Sequence, residues 1–231
     1  MNTAVNYNIQ DANALDETIG RNEAALTEKG FPAENRTELK DRIIILTEKE
    51  NTLNGKGKKL EDLTAGQNVI ITESQGLVTK VRNAASGAYV GNARVLKQFN
   101  VGINKRIPRA IGSLRSECEY LIPLVTEKKA DLLKGGLQEA DITALDEAPA
   151  KLIAADKQQE DAKKERNQAT VERDEADKEL KKIKTKIRKF VDTAFAKNKS
   201  ILIQFEPIPK GRGGGKEDEG GTTPPPAPPV Q

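Results

Sequence analysis

Residues 80–99 read KVRNAASGAYVGNARVLKQF, and residues 186–205 read KIRKFVDTAFAKNKSILIQF. The two stretches align without a gap at an offset of 106 and share seven identities: Lys80/Lys186, Arg82/Arg188, Ala88/Ala194, Asn92/Asn198, Leu96/Leu202, Gln98/Gln204 and Phe99/Phe205. Val81/Ile187, Tyr89/Phe195 and Val95/Ile201 are conservative. The same offset works upstream, where Leu15 meets Leu121, Ile19 meets Val125, Leu26 meets Leu132, Gly30 meets Gly136, Leu39 meets Leu145 and Leu46 meets Leu152. Over residues 11–99 the two copies share 18 identities. A heptad pattern alone explains recurring Leu, but not the shared Asn, Gln and Phe. Two copies at so long a period do not make a solenoid array. The reading is an internal duplication of one helical module, spanning 5–108 and then 109–210.

Composition narrows the class. Charged residues make up 32% with mixed sign and a net charge of only +3, a balance that does not demand a nucleic-acid partner. There are five Phe, three Tyr and no Trp, so a core must come from Leu, Ile, Val and Ala. Histidine is absent, which removes the commonest general base and metal ligand. The single cysteine, Cys118, forbids an internal disulfide or a thiolate cluster, and its amphipathic surroundings fit a buried structural thiol. No catalytic constellation, metal-ligand set or cofactor motif stands out, so the chain is expected not to be an enzyme. The start lacks the basic and apolar regions of a signal peptide, and no apolar run reaches 18 residues. The default expectation is the cytoplasm, with leaderless export compatible with the same sequence.

The pattern along the chain predicts a polar lead-in over 1–10, then helices over 11–29, 36–63 and 67–91, with a turn at Thr64-Ala65-Gly66. Leu39, Ile43, Leu46, Leu53 and Leu60 keep a bundle-facing spacing. Gly30 reads as the left-handed residue after a helix, with Phe31 making the accompanying apolar contact. The second copy repeats the scheme: a helix from about 108 to 134, Gly135-Gly136, Asp141 as a cap, and a highly charged stretch over 150–197. A turn near 166–172 is expected there by correspondence with the first copy. Residues 211–231 are Gly-rich then Pro-rich and read as a disordered or extended tail, whose PPPAPP run suits a polyproline-reading partner.

Two sets of residues are candidate functional features. The first is the basic cluster Lys178, Lys181, Lys182, Lys184, Lys186, Arg188 and Lys189, which could meet a phosphate-bearing or other anionic surface. The reading the pattern favours is a solvated helix face near a negative helix terminus. The second is the repeated Asn92, Gln98, Phe99 and Asn198, Gln204, Phe205. These read mainly as structure, the Phe closing each unit and the Asn ending the third helix in left-handed geometry. Acid–base pairs along 160–182 read as surface ion pairs; without His they lack the di-iron bundle signature.

The expected architecture is therefore all-α: two homologous three-helix units forming an elongated bundle, followed by the tail. The expected function is structural or scaffolding, through protein–protein contacts or self-association along helix faces. Anionic-surface binding, to membrane or nucleic acid, through 178–189 is the alternative.

Overall fold

The computed structural model describes residues 3–103 and 106–209. The tail assigned to 211–231 lies outside them. Among the described residues the chain is all-helical, without strands. Its elements are α1 (Thr3–Arg21), α2 (Glu23–Glu28), α3 (Ala33–Ala88), α4 (Ala93–Gln98), α5 (Ile111–Glu127), α6 (Lys129–Lys134), α7 (Glu139–Ala194) and α8 (Lys199–Leu202), which runs into a 3-10 turn, Ile203–Phe205.

The structure departs from the expected element boundaries at several places; the single helices expected over 11–29 and 108–134 are each broken, at Asn22 and Lys128. Residues 3–10 of the expected polar lead-in are helical, because α1 begins at Thr3. Its buried stripe is Val5, Asn8, Asp11, Ala12, Leu15 and Ile19; two polar members hide the helical period from an apolar count. The expected turns at 64–66 and 166–172 do not form. α3 and α7 are each 56 residues long and pass through those points, so the expected three-helix units are replaced by two long helices, each flanked by short ones. α3 tolerates Gly55, Gly57 and Gly66, and α7 carries Pro149 in its third turn. A glycine in a helix interior costs about 1 kcal/mol, which packing against a second long helix outweighs.

The chain forms two compact units. Unit 1 comprises Met1–Thr47 with Ala176–Gln231, and unit 2 comprises Glu48–Glu175. These divisions cut across 5–108 and 109–210, because α3 and α7 each contribute to both units. In unit 1 the core joins Val5, Ala12, Leu15 and Ile19 of α1, Leu26 of α2, Leu39 and Leu46 of α3, and Leu180, Ile183, Ile187 and Val191 of α7, with Phe205. In unit 2 it joins Val78, Val81 and Ala85 of α3, Leu114, Cys118, Leu121 and Val125 of α5, Leu132 of α6, and Leu145, Ala148 and Leu152 of α7, with Phe99. Fully burying one such Leu or Ile contributes about 1.5–3 kcal/mol.

Both units close the second short helix in the same way. Phe31 N–H donates to Leu26 C=O at 2.9 Å and Gly30 N–H to Thr27 C=O at 2.9 Å, with Gly30 at φ +76°. Leu137 N–H donates to Leu132 C=O at 3.0 Å and Gly136 N–H to Leu133 C=O at 3.1 Å, with Gly136 at φ +98°. This is the Schellman arrangement, and its left-handed position is one that glycine occupies without a Cβ penalty. In unit 2 the neighbouring Gly135 also lets backbones meet: a Cβ there would lie 2.3 Å from Ala84 O. The small residues at 84, 85, 87 and 88 serve that close approach. Unit 1 fills the corresponding place with an edge-to-face Phe31–Phe190 pair, ring centroids 5.2 Å apart.

Within unit 2, α3 and α7 also run side by side where neither core cluster reaches. Their cross-helix pairs fall in antiparallel order: Lys49–Glu172 at 2.7 Å, Glu50–Arg173 at 3.3 Å, Lys56–Glu165 at 2.7 Å, Lys59–Glu165 at 3.0 Å and Gln67–Asp156 at 3.5 Å. Ala155, Ala162 and Ala169 of α7 are buried along this seam, while Leu53 and Leu60 of α3 are half-buried. Alanine every seventh residue is a narrow seam that brings two helices close.

Candidate functional site

The basic cluster of α7 divides by helix face. Lys178, Lys181, Lys182, Lys186 and Lys189 are exposed, whereas Lys184 is buried and Arg188 is half-buried. Positions 184 and 188 lie one turn apart and share the inward stripe with Leu180, Ile187 and Val191. These two cations are therefore committed inside unit 1 and are not part of an outward surface, which corrects the seven-residue cluster to five.

Their partner is Asp11, on α1. Lys184 Nζ donates to Asp11 Oδ2 at 2.7 Å and Arg188 Nη2 donates to Asp11 Oδ1 at 2.8 Å. The backbone N–H of Ile208 gives the carboxylate its third bond, to Oδ1 at 3.0 Å. Lys184 also donates to Asn8 C=O at 3.3 Å, and Asn8 Nδ2 donates to Asp177 Oδ1 at 2.6 Å. Arg188 Nε reaches Phe205 C=O at 2.9 Å, and Tyr7 OH donates to Ile208 C=O at 2.7 Å. Burial alone would raise the Asp11 carboxyl, but bonds from Arg188, Lys184 and Ile208 outweigh it and hold the group below the usual carboxylate range. The cluster pins three separate parts of the chain, α1, α7 and the 205–208 segment, to one carboxylate.

Unit 2 carries its own buried acid–arginine pair. Arg82 Nη2 donates to Glu117 Oε1 at 2.8 Å, and Asn100 Nδ2 donates to the same oxygen at 2.8 Å. Glu117 is buried and the Arg82 side chain nearly so. The offset of 106 maps Asp11 onto Glu117 and Arg188 onto Arg82. The shared arginine is visible among the seven identities; its acid is not, because Asp faces Glu. Following the offset through conservative acid replacements would have found it.

The repeated Asn residues have a role different from the one expected. Asn92 (φ −95°) and Asn198 (φ −114°) are not left-handed helix ends but N-caps of α4 and α8. Their side-chain oxygens accept from Val95 N–H at 3.2 Å and Ile201 N–H at 3.3 Å. The left-handed residue at the end of α3 is Gly91 instead, φ +81°. A short polar side chain satisfies otherwise orphaned first-turn N–H groups, the standard reason for Asn at this position. Phe99 and Phe205 are buried in the two cores. Gln98 and Gln204 are exposed; Gln204 Oε1 accepts from Asn22 Nδ2 at 2.9 Å and the Gln98 backbone carbonyl accepts from Tyr120 OH at 3.0 Å.

The outward lysines form one face of α7. Lys181 pairs with Asp177, and Lys182 with Glu179 at 2.6 Å. Among the described residues Lys178, Lys186 and Lys189 form no ion pair. Exposed apolar side chains lie elsewhere: Ile44, Ile45 and Val69 on α3, Tyr120 on α5, Ile153 and Val171 on α7, and Ile203. Cys118 is buried, and burial, then the Glu117 and Glu119 carboxylates, push its thiol up to about 11. Among the described residues no helix is long and apolar enough to cross a membrane. The chain matches no protein-family model, no curated protein and no solved structure.

Proposed function

We propose that the chain is a non-enzymatic structural or scaffolding protein, built by duplication of one helical module and acting through protein contacts along the helix faces. The carrying observation is the pair of equal elements, α3 and α7, each 56 residues long and beginning and ending 106 residues apart. The order short helix, shorter helix, long helix, capped short helix occurs twice. Buried acids sit at corresponding positions, each bonded to the arginine of the other copy. In this reading the copies interleave, so each compact unit takes its first helix from one copy and the far end of its long helix from the other. The buried ionisable groups are spent on holding that arrangement, and exposed Ile44, Ile45 and Val69 supply apolar contact on α3. A concentration series by sedimentation or light scattering tests it, with Ile44→Asp/Val69→Asp expected to reduce association at least tenfold. A wild-type chain that stays monomeric at every concentration and captures no partner counts against the reading.

A second reading rests on the lysine face. By the same offset Lys178, Lys181, Lys182, Lys186 and Lys189 correspond to Thr72, Gln75, Gly76, Lys80 and Asn83. One copy thus carries five exposed cations where the other carries one, which is not what a shared scaffold needs. Binding to an anionic surface accounts for the difference. The variant Lys182→Glu/Lys186→Glu/Lys189→Glu should then lose salt-sensitive retention on heparin or on anionic vesicles; unchanged retention removes this reading.

A further inference from the structure

Two homologous long helices create a pairing problem. If α3 and α7 descend from one helix, α3 could pair with α3 of a second copy as readily as with its own α7. We propose that buried and facing polar residues act as a pairing code that selects α3 with α7 within one chain and rejects like-with-like pairing between copies. The inference rests on the duplication reading given above.

The code has a polar half and an apolar half. In unit 1 Asn8 of α1 meets Asp177 and Lys184 of α7 through the bonds described above. By offset these three correspond to Leu114, Ile71 and Val78 in unit 2. Leu114 and Val78 are fully buried, and Ile71 packs against the same core. All three positions change character together, from polar to apolar. Pairing α3 with a second α3 would place Asn8 and Asp11 against Ile71 and Val78, leaving the Asn8 amide without a partner. Pairing α7 with a second α7 would bury Lys184 and Asp177 against Leu114. A buried polar group deprived of its partner is the standard instrument for rejecting a wrong register.

The facing charges point the same way. Lys59 and Glu165 correspond to each other by offset and bond to each other at 3.0 Å. This is the position where each long helix meets its own counterpart. Pairing α3 with α7 joins Lys59 to Glu165. Pairing like with like sets Lys59 against Lys59, or Glu165 against Glu165, with Lys56 adding to the first repulsion.

The test uses full-length chains refolded from denaturant over a concentration series. The three tyrosines, Tyr7, Tyr89 and Tyr120, carry 3-fluorotyrosine. Native protein should show one fluorine resonance per tyrosine at every concentration. The variant Asn8→Leu/Asp177→Ile/Lys184→Val gives unit 1 the apolar trio that unit 2 already uses. It should refold and show a second Tyr7 resonance that grows with concentration, at least tenfold above native, as like-with-like dimers remove Tyr7 from Ile208. Association through outer helix faces leaves the Tyr7–Ile208 bond intact and does not produce that signal. A variant that refolds with a single set of resonances overturns the code. Should the variant not refold, Leu114→Asn/Ile71→Asp/Val78→Lys levels the two units in the opposite sense and should split Tyr120. Failure of both to refold also overturns the proposal, because the trios would then not be interchangeable. An experimental structure in which 33–88 and 139–194 fail to superpose would remove the duplication itself; superposition without splitting removes only the code.

Discussion

At the scale of single residues, Asp11 joins α1, α7 and Ile208 through one carboxylate. It is buried, accepts three hydrogen bonds and balances two cations, so Asp11→Asn takes from buried Lys184 and half-buried Arg188 the carboxylate both bond. Breaking a buried pair by removing one partner costs about 3–5 kcal/mol, and urea denaturation near neutral pH should show a loss of that size. The pH dependence follows from the lowered carboxyl. A depressed folded-state value means the stabilisation is fully present above the unfolded carboxylate value, about 3.9, and disappears as pH falls through the folded value below it. Stability measured between pH 5 and 2 should fall steeply in the native chain and less steeply in Asp11→Asn. Cys118 gives a second check. With its thiol raised to about 11 and its side chain buried, it should react with a disulfide reagent at pH 8 only as fast as unit 2 opens. A fast reaction in the folded state would contradict its placement. The burial of Cys118 and of both Phe residues was legible in the sequence, from amphipathic spacing and recurrence. Asp11 was not, because an acid on the buried stripe of α1 breaks the very pattern used to find buried stripes.

At the scale of elements, the glycines divide into two kinds with opposite expected effects. Gly55, Gly57 and Gly66 lie inside α3 with open space where a Cβ would go. Replacing each by Ala should stabilise the chain by about 0.5–1 kcal/mol, through lower unfolded-state entropy and better helix propensity. Gly135 faces Ala84 O, and Gly135→Ala should destabilise by about 1–3 kcal/mol, as overpacking does. Thermal or chemical unfolding of the four single variants decides the signs. One of these glycines, Gly66, also hides the continuity of α3 in the sequence. Thr64-Ala65-Gly66 has the local composition of a turn, but Thr64 bonds back to Leu60 C=O at 2.8 Å and accepts from Gln159 of α7 at 3.1 Å. A distant helix settles the conformation, and no local signal carries it. The Schellman ends at Gly30 and Gly136 were legible because their whole mechanism lies within six residues.

At the scale of the whole molecule, similarity and contact follow different maps. The offset of 106 identifies which residues resemble each other, and it places Arg82 with Arg188. Arg82 bonds Glu117 and Arg188 bonds Asp11, residues distant from each arginine along the chain. Resemblance along the chain does not mark the compact units, whose boundaries at 47–48 and 175–176 fall inside long helices. Unit 2 should show the consequence in hydrogen exchange. Residues 48–69 and 153–175 lie outside both core clusters, so their amides should exchange faster than those of Leu145–Leu152 or Val78–Ala85, where α5 covers the pair. Uniform protection along α3 and α7 would refute this.

The division of the chain between units also sets an order of events during synthesis. Unit 2 is one continuous segment, Glu48–Glu175, and can close as soon as it leaves the ribosome. Unit 1 needs residues on both sides of it. Its first half, with Val5, Ala12, Leu15, Ile19 and Leu26, must wait for Leu180, Ile183, Ile187 and Val191 to be made. At about 5–20 residues per second that delay is roughly 8–35 seconds, during which an apolar stripe stands uncovered. Until then the apolar stripe of α1 lacks the part of α7 that covers it in the finished protein.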